Sequence, residues 1–300
     1  MTTVLVVGIA VVDFIFTVES FPTTADKFRA DGAEVVGGGC AANAAVAISR
    51  LGGRAQLGAR VGEDLIGDLI VSGLDAEGVQ TDLIHRAPGA RSSFSSVYVD
   101  RSGERQIVNF PGAGLGENAA WMEGPPTVDA VLADTRWTSG AVRALDIALE
   151  QGVPGIVDGE APIDPAVVER ASHIAFSVQG LRSLTTATAP AEGLEEIRPS
   201  LGGWGCVTDG ENGVFYTGAN GIEHIPAFTV EVVDTLAAGD IWHGAFALQL
   251  AAGEDEETAI RFANAVAALK CTRPGGRAGT PNRAEVNAFL LDPSGSREEP

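Results

Sequence analysis

The chain has 300 residues, 45% of them hydrophobic, and 40 acidic against 20 basic side chains give a formal net charge of −20. That length and apolar content suit one α/β domain with a small appendage, while the acidity argues against nucleic acid or an anionic membrane as partner. Cys40, Cys206 and Cys271 form neither a disulfide framework nor a CxxC spacing, so a reducing, cytoplasmic setting is expected.

In chain order, the apolar run from Val4 to Val12 lacks a basic flank and meets Asp13 too early for a signal peptide or membrane span, and reads as a first buried strand, Val4–Ile9. Phe14–Glu19 and Arg29–Val36 alternate apolar and polar residues as hairpin strands do. The run Gly37-Gly38-Gly39 opens a helix over Ala41–Leu51, followed by a strand at Ala55–Gly58 and a helix at Leu65–Glu77. A second hairpin pairs Phe94–Val99 with Arg105–Phe110 across Asp100-Arg101-Ser102-Gly103. Strands at Ala130–Ala133, Gly155–Val157, His173–Ala175 and Gly205–Thr208 then alternate with helices at Gly140–Gln151 and Ala166–Ala171, before helices at Asp240–Ala252 and Glu256–Leu269. This rhythm predicts a three-layer α/β/α body over residues 1–291 with a mainly parallel sheet, ligands at its carboxyl edge, and a β-sheet lid from about 14–36 and 93–110. The polar tail 292–300 is expected to be disordered.

The segment from Val232 to Phe246 joins a β-branched run to a small-residue turn and a helix that begins with a carboxylate. Amides at a helix N-terminus are unsatisfied and carry partial positive charge, so Ala237, Ala238 and Gly239 form a candidate anion hole. Asp240 beside it is a candidate base, the division of labour that phosphorylation of an alcohol requires. Asp13, at the end of the first strand run, and Asn43, in the helix after the glycines, are placed to read hydroxyls, while Gly38 and Gly39 let backbone approach a ligand. A dinucleotide-binding glycine loop fails on position, because it belongs directly after the first strand of a βαβ unit. Lys27, Asn109 and Arg136 are candidates to converge on the end of a ligand remote from Asp240, and Arg273 and Arg277 to contact phosphate groups or shape their loop. His243 and Trp242 read as helix packing, since no partner of metal-ligand spacing accompanies them.

Asp234-Thr235-Leu236-Ala237-Ala238-Gly239-Asp240 resembles the Asp-Thr-x-Gly-Ala-Gly-Asp signature of the ribokinase-like (pfkB) carbohydrate kinases at every position but Ala237. Gly37 to Ala47 with Leu51-Gly52-Gly53 matches that family's N-terminal signature, and Thr208-Asp209-Gly210-Glu211-Asn212-Gly213 its nucleotide-binding turn. Ser177 and Gly180 stand where many relatives have the Asn-x-x-Glu element that organises Mg²⁺.

The resemblance implies ATP-dependent phosphorylation of a sugar hydroxyl, with Asp240 as base, Asp13 on the sugar, and Thr208, Gly210, Gly213 and Asn264 at the nucleotide. It also implies Mg²⁺ held mostly by ATP and water, a K⁺ ion near Asp234, and a homodimer through the lid. Ala237 is then expected in a helical or bridge conformation with its N–H facing the cleft. The segments around Arg136, Asp158 and Arg277 are similar to bacterial 6-deoxy-6-sulfofructose kinases, which phosphorylate O1. Ketohexokinase, ribokinase and nucleoside kinase activities are the alternatives, along with a sugar-binding regulator that has lost catalysis.

Overall fold

The computed structural model describes residues 1–122 and 127–292, so most of the tail expected to be disordered, residues 293–300, lies outside the described residues. The long N-terminal apolar run splits in two. Its first part is β1 (Thr3–Val7), in which Val4 to Val7 are wholly buried between parallel neighbours; its second part, β2 (Val11–Thr17), leaves the main sheet for the lid and pairs there with β3 (Gly32–Gly38). Next come α1 (Cys40–Arg50), β4 (Arg54–Gly62), α2 (Leu65–Ala76), β5 (Ile84–Ala87) and the lid hairpin β6 (Phe94–Val99) and β7 (Arg105–Phe110). The alternating half of the chain supplies β8 (Ala130–Asp134), α3 (Thr138–Gln151), β9 (Gly155–Gly159), α4 (Pro165–Val168), β10 (His173–Ser177), α5 (Val178–Arg182), α6 (Pro190–Ile197) and β11 (Trp204–Thr208). A hairpin, β12 (Val214–Gly218) and β13 (Gly221–Ile225), precedes α7 (Ala238–Ala251), α8 (Glu256–Cys271) and α9 (Arg283–Leu291).

The main sheet runs β13-β12-β11-β10-β9-β8-β1-β4-β5, parallel except for the terminal hairpin, and the lid runs β3-β2-β6-β7. Two apolar clusters cover the two faces of the main sheet, one built on α1, α7 and α8 and the other on α3, α5 and α6. Helix α7 is buried from Ile241 to Leu250, the burial expected of a helix that is apolar all round, which holds its N-terminus rigidly at the sheet's carboxyl edge. The short α4 ends at Val168 rather than Ala171. Helix α9 carries an Asn282/Glu285 capping box, a readable start signal that the apolar pattern of its short span did not bring out. No helix among the described residues is long and apolar enough to cross a membrane.

Candidate active site

The head of α7 is set by Ala237, whose φ of 62° and ψ of 10° place it in the left-handed region. This corrects the expectation of an ordinary helical or bridge conformation. The chain must turn sharply out of the Asp234 loop, where the Asp234 carboxylate accepts from the Leu236 amide at 2.9 Å, and the reversal falls on the residue that precedes the helix. Among the described residues the amides of Ala237, Gly239 and Asp240 have no acceptor, while that of Ala238 is taken by the Thr235 carbonyl at 3.2 Å. The free amides at the head of α7 are therefore those of Ala237, Gly239 and Asp240, while Ala238, expected among them, holds the turn. Nothing lies within 4 Å of where a Gly239 side chain would project, so the surface beside Gly239 is open.

A left-handed conformation costs a residue with a Cβ about 1–2 kcal/mol, against the roughly 0.5–1 kcal/mol of backbone freedom that glycine loses on folding. Ala237→Gly is accordingly expected to stabilise the protein by up to about 1 kcal/mol, read as a higher urea midpoint at unchanged slope. A lower midpoint would show that the methyl group packs usefully despite the strain.

The Asp240 carboxylate accepts a hydrogen bond from Asn43 Nδ2 at 2.7 Å, so α1 and α7 are joined at the head of α7. Its pKa is pushed up to about 6, chiefly by burial and then by the negative charge of Asp158, with the Asn43 bond opposing. A base poised near the pH at which it must work is suited to accepting a hydroxyl proton. Asp158 on β9 is buried, its own pKa raised well above the usual carboxylate range by burial, and its Oδ1 has no hydrogen-bond partner. His243 packs inside α7 as expected, its Nε2 3.1 Å from the Ala175 carbonyl and its Nδ1 3.5 Å from Asp158 Oδ1. Cys40, Asp158 and Asp240 bring ligand atoms within 4.8 Å of one another, but a half-buried thiol beside two carboxylates is a poor donor set for Mg²⁺, which takes oxygen ligands and keeps its waters.

On the lid, Asp13, Ser95 and Asn109 lie in one register row across β2, β6 and β7; Asn109 Nδ2 donates to Ser95 Oγ at 3.1 Å, and Ser95 in turn bonds Asp13. Burial raises the Asp13 pKa, opposed by that bond and by Arg277. The glycine run serves these side chains. A Cβ on Gly38 would stand 2.3 Å from Asp13 Oδ2, and one on Gly37 would overlap the Arg277 guanidinium. Arg277 thus lies against Gly37 and near Asp13, and Arg273 is occupied by Glu285.

A cavity of about 460 Å³ opens beside Gly39 and Cys40 and is lined by Arg60, Ser93, Asn109 and Arg136. Arg136 and Asn109 both line this cavity, but Lys27 does not: it sits exposed in the segment between β2 and β3, because that stretch of the lid has no strand to direct it inward. Sequence reasoning missed Arg60, which reaches this wall from the parallel strand β4 with its guanidinium 4.4 Å over the Trp137 ring. It also missed Asp134, buried at the end of β8, whose carboxylate accepts from the amides of Ile9 (2.8 Å), Arg136 (2.9 Å) and Ala41 (3.3 Å) and so fixes the cavity floor. A carboxylate at the carboxyl end of a parallel strand was the available signal.

Thr208, Gly210 and Gly213 lie together at the end of β11 and the turn after it, the Thr208 hydroxyl directed at the Phe176 carbonyl at 3.3 Å. The Asn264 side chain is committed inside the protein, accepting from Trp242 Nε1 at 2.8 Å and donating to the Pro226 carbonyl at 3.2 Å. Ser177 caps α5 through the Gly180 amide at 2.9 Å.

A raised carboxylate facing free helix-head amides, between a turn at the end of β11 and a polar lid row, is the arrangement of a phosphotransferase with an alcohol acceptor on the ribokinase-like α/β fold. Residues 1–283 match the model of the pfkB family carbohydrate kinases. The chain is 30% identical over 297 residues to the ribokinase of Bacillus subtilis (97% of this chain, 100% of that one) and 29% identical over 282 residues to the fructokinase of Vibrio alginolyticus (84% and 91%). A solved structure from Agrobacterium tumefaciens superposes with a TM-score of 0.89 at 37% identity, covering 97% of both chains. The protein belongs to the pfkB family and is an ATP-dependent carbohydrate kinase.

Proposed function

We propose that the acceptor is a ketose bearing an anionic group, such as 6-deoxy-6-sulfofructose, phosphorylated at O1 with Asp240 as base. The observation that carries this reading is the pair of guanidinium groups, Arg60 and Arg136, on the wall of one cavity in a chain with twice as many acidic as basic residues. Cys40 lines that cavity and also lies beside Asp240, so one sugar spans from the arginines to the base. Each arginine already holds a carboxylate, Arg60 to Glu117 at 3.0 Å and Arg136 to Glu160 at 3.3 Å. Those acids face solvent, with side chains 73% and 33% exposed, and such pairs are worth only about 0–1 kcal/mol, so a sulfonate or phosphate can displace them. Asp13 and Asn43 read the hydroxyls between.

Mg²⁺ accompanies ATP in this reading, held by phosphates and water, since the Ser177 hydroxyl is spent on its helix cap. Exposed Val35, Ile107 and Val108 on the lid strands support pairing of two copies through the lid, and the three free cysteines fit a reducing cytoplasm. Likeness to ribokinase and fructokinase favours a second reading, a neutral sugar. ADP release screened over sulfofructose, fructose phosphates, 2-keto-3-deoxygluconate, fructose, ribose and adenosine separates them. The highest kcat/KM is expected on an anionic ketose; a clear preference for ribose or fructose would overturn the anionic reading and leave the kinase intact.

A further inference from the structure

Lys270 is one of two lysines in the chain, and its side chain is wholly buried. An ammonium group without water is costly unless oxygen atoms surround it. Here Nζ donates to the main-chain carbonyl of Asp234 at 2.6 Å and lies 3.3 Å from its Oδ2. The same carboxylate accepts from the amides of Leu236, Gly275 and Gly276, and Arg105 of β7 donates to its Oδ1 at 2.8 Å. Burial would raise the Asp234 carboxyl, but the bonds from Leu236 and Gly276 and the Lys270 charge outweigh it and hold the pKa down at about 2. The amides of Val233 and Asp234 donate to the Cys271 carbonyl, next to Lys270 in the chain. The whole turn that delivers Ala237 to Asp240 is thus tied down on one buried positive charge, three residues before the first free amide.

We propose that Lys270 is a positioning residue whose ammonium acts as a built-in monovalent cation for the Asp234 turn, keeping the amides at the head of α7 aimed at the phosphoryl group without a cation from solution. This rests on the reading of α7 as the phosphoryl-transfer site. A compact ammonium and a bare monovalent ion present the same charge to carbonyl and carboxylate oxygens, so filling the place with lysine removes the need for the ion.

Lys270→Ala and Lys270→Met are compared with the parent protein in KCl, NH₄Cl and choline chloride at equal ionic strength. ADP release is followed with the best acceptor from the screen above, and melting temperature is measured in the same salts without substrate. The parent is expected to turn over equally in all three salts. Lys270→Ala should lose about tenfold to a hundredfold in kcat in choline, the scale of an ångström-level misplacement, at unchanged sugar KM. KCl or NH₄Cl should restore much of that loss and raise the melting temperature of this variant alone. Lys270→Met, which fills the space without charge, should be slow in every salt; it keeps the side-chain volume and carries the comparison of kcat with KM if the alanine variant does not fold. Stimulation of the parent by K⁺ over choline overturns the proposal, as does an undiminished kcat in Lys270→Met or an alanine variant whose rate and melting ignore the cation. If the parent phosphorylates no acceptor, the kinase reading fails while the melting comparison still decides the role of the lysine.

Discussion

Asp240→Asn is expected to lower kcat by about 10²–10⁴ while ATP and sugar still bind, because the amide keeps the shape and can still bond Asn43 but has no basic oxygen for the hydroxyl proton. Burial and the neighbouring charge of Asp158 raise the Asp240 pKa to about 6, so the parent's kcat should fall as pH drops through that value and level off above it. The linked stability has the opposite sense. A carboxyl whose folded pKa lies above its ordinary value favours folding when protonated, a contribution complete below about pH 4 and lost as pH rises through about 6. The Asn variant, neutral throughout, should therefore melt higher than the parent at neutral pH and not at pH 4. Equal turnover in the two proteins would remove Asp240 from the chemistry. An acid limb unmoved in the variant would assign the titration to another group.

Arg136→Ala should weaken kcat/KM for a sulfonated or phosphorylated ketose by about 2–4 kcal/mol while barely changing fructose, since that is the scale of truncating one partner of a desolvated charge pair. Arg60→Ala is expected to act in the same direction. Arg136 also donates through Nη1 to the Ala161 carbonyl at 2.9 Å, so the fructose rate serves as the control for local disorder. A parallel drop on neutral and anionic sugars would mean that the residue shapes the cavity without reading charge. No drop on either would place the anion elsewhere.

Much of this was legible in the chain because it is local. The βα alternation, the Phe94–Val99 and Arg105–Phe110 lid strands, and the Asp240 helix follow from periodicity and turn residues within short windows. The hairpin β12–β13 escaped notice: its strands are short, and Gly218 to Gly221 reads as a loop until β11 gives it a partner. Lys27 was misplaced for a related reason, since proximity to lid strands in sequence does not say which way a side chain between them points.

What the sequence determined by itself was that a helix begins at the small residues before Asp240 with that carboxylate in its first turn, and that this stretch carries the pfkB signature, because both are properties of one short segment. Only the tertiary structure decided the rest. It drew Arg60 from β4 and Arg136 from the end of β8 to one wall, put Arg277 beneath Gly37, turned Ala237 left-handed, and buried Lys270 against Asp234. Each of those is a meeting of residues distant in the chain, governed by which strands become neighbours and by the need of a buried charge for a counter-charge or a hydrogen-bond partner, and neither condition is written into any short stretch of sequence.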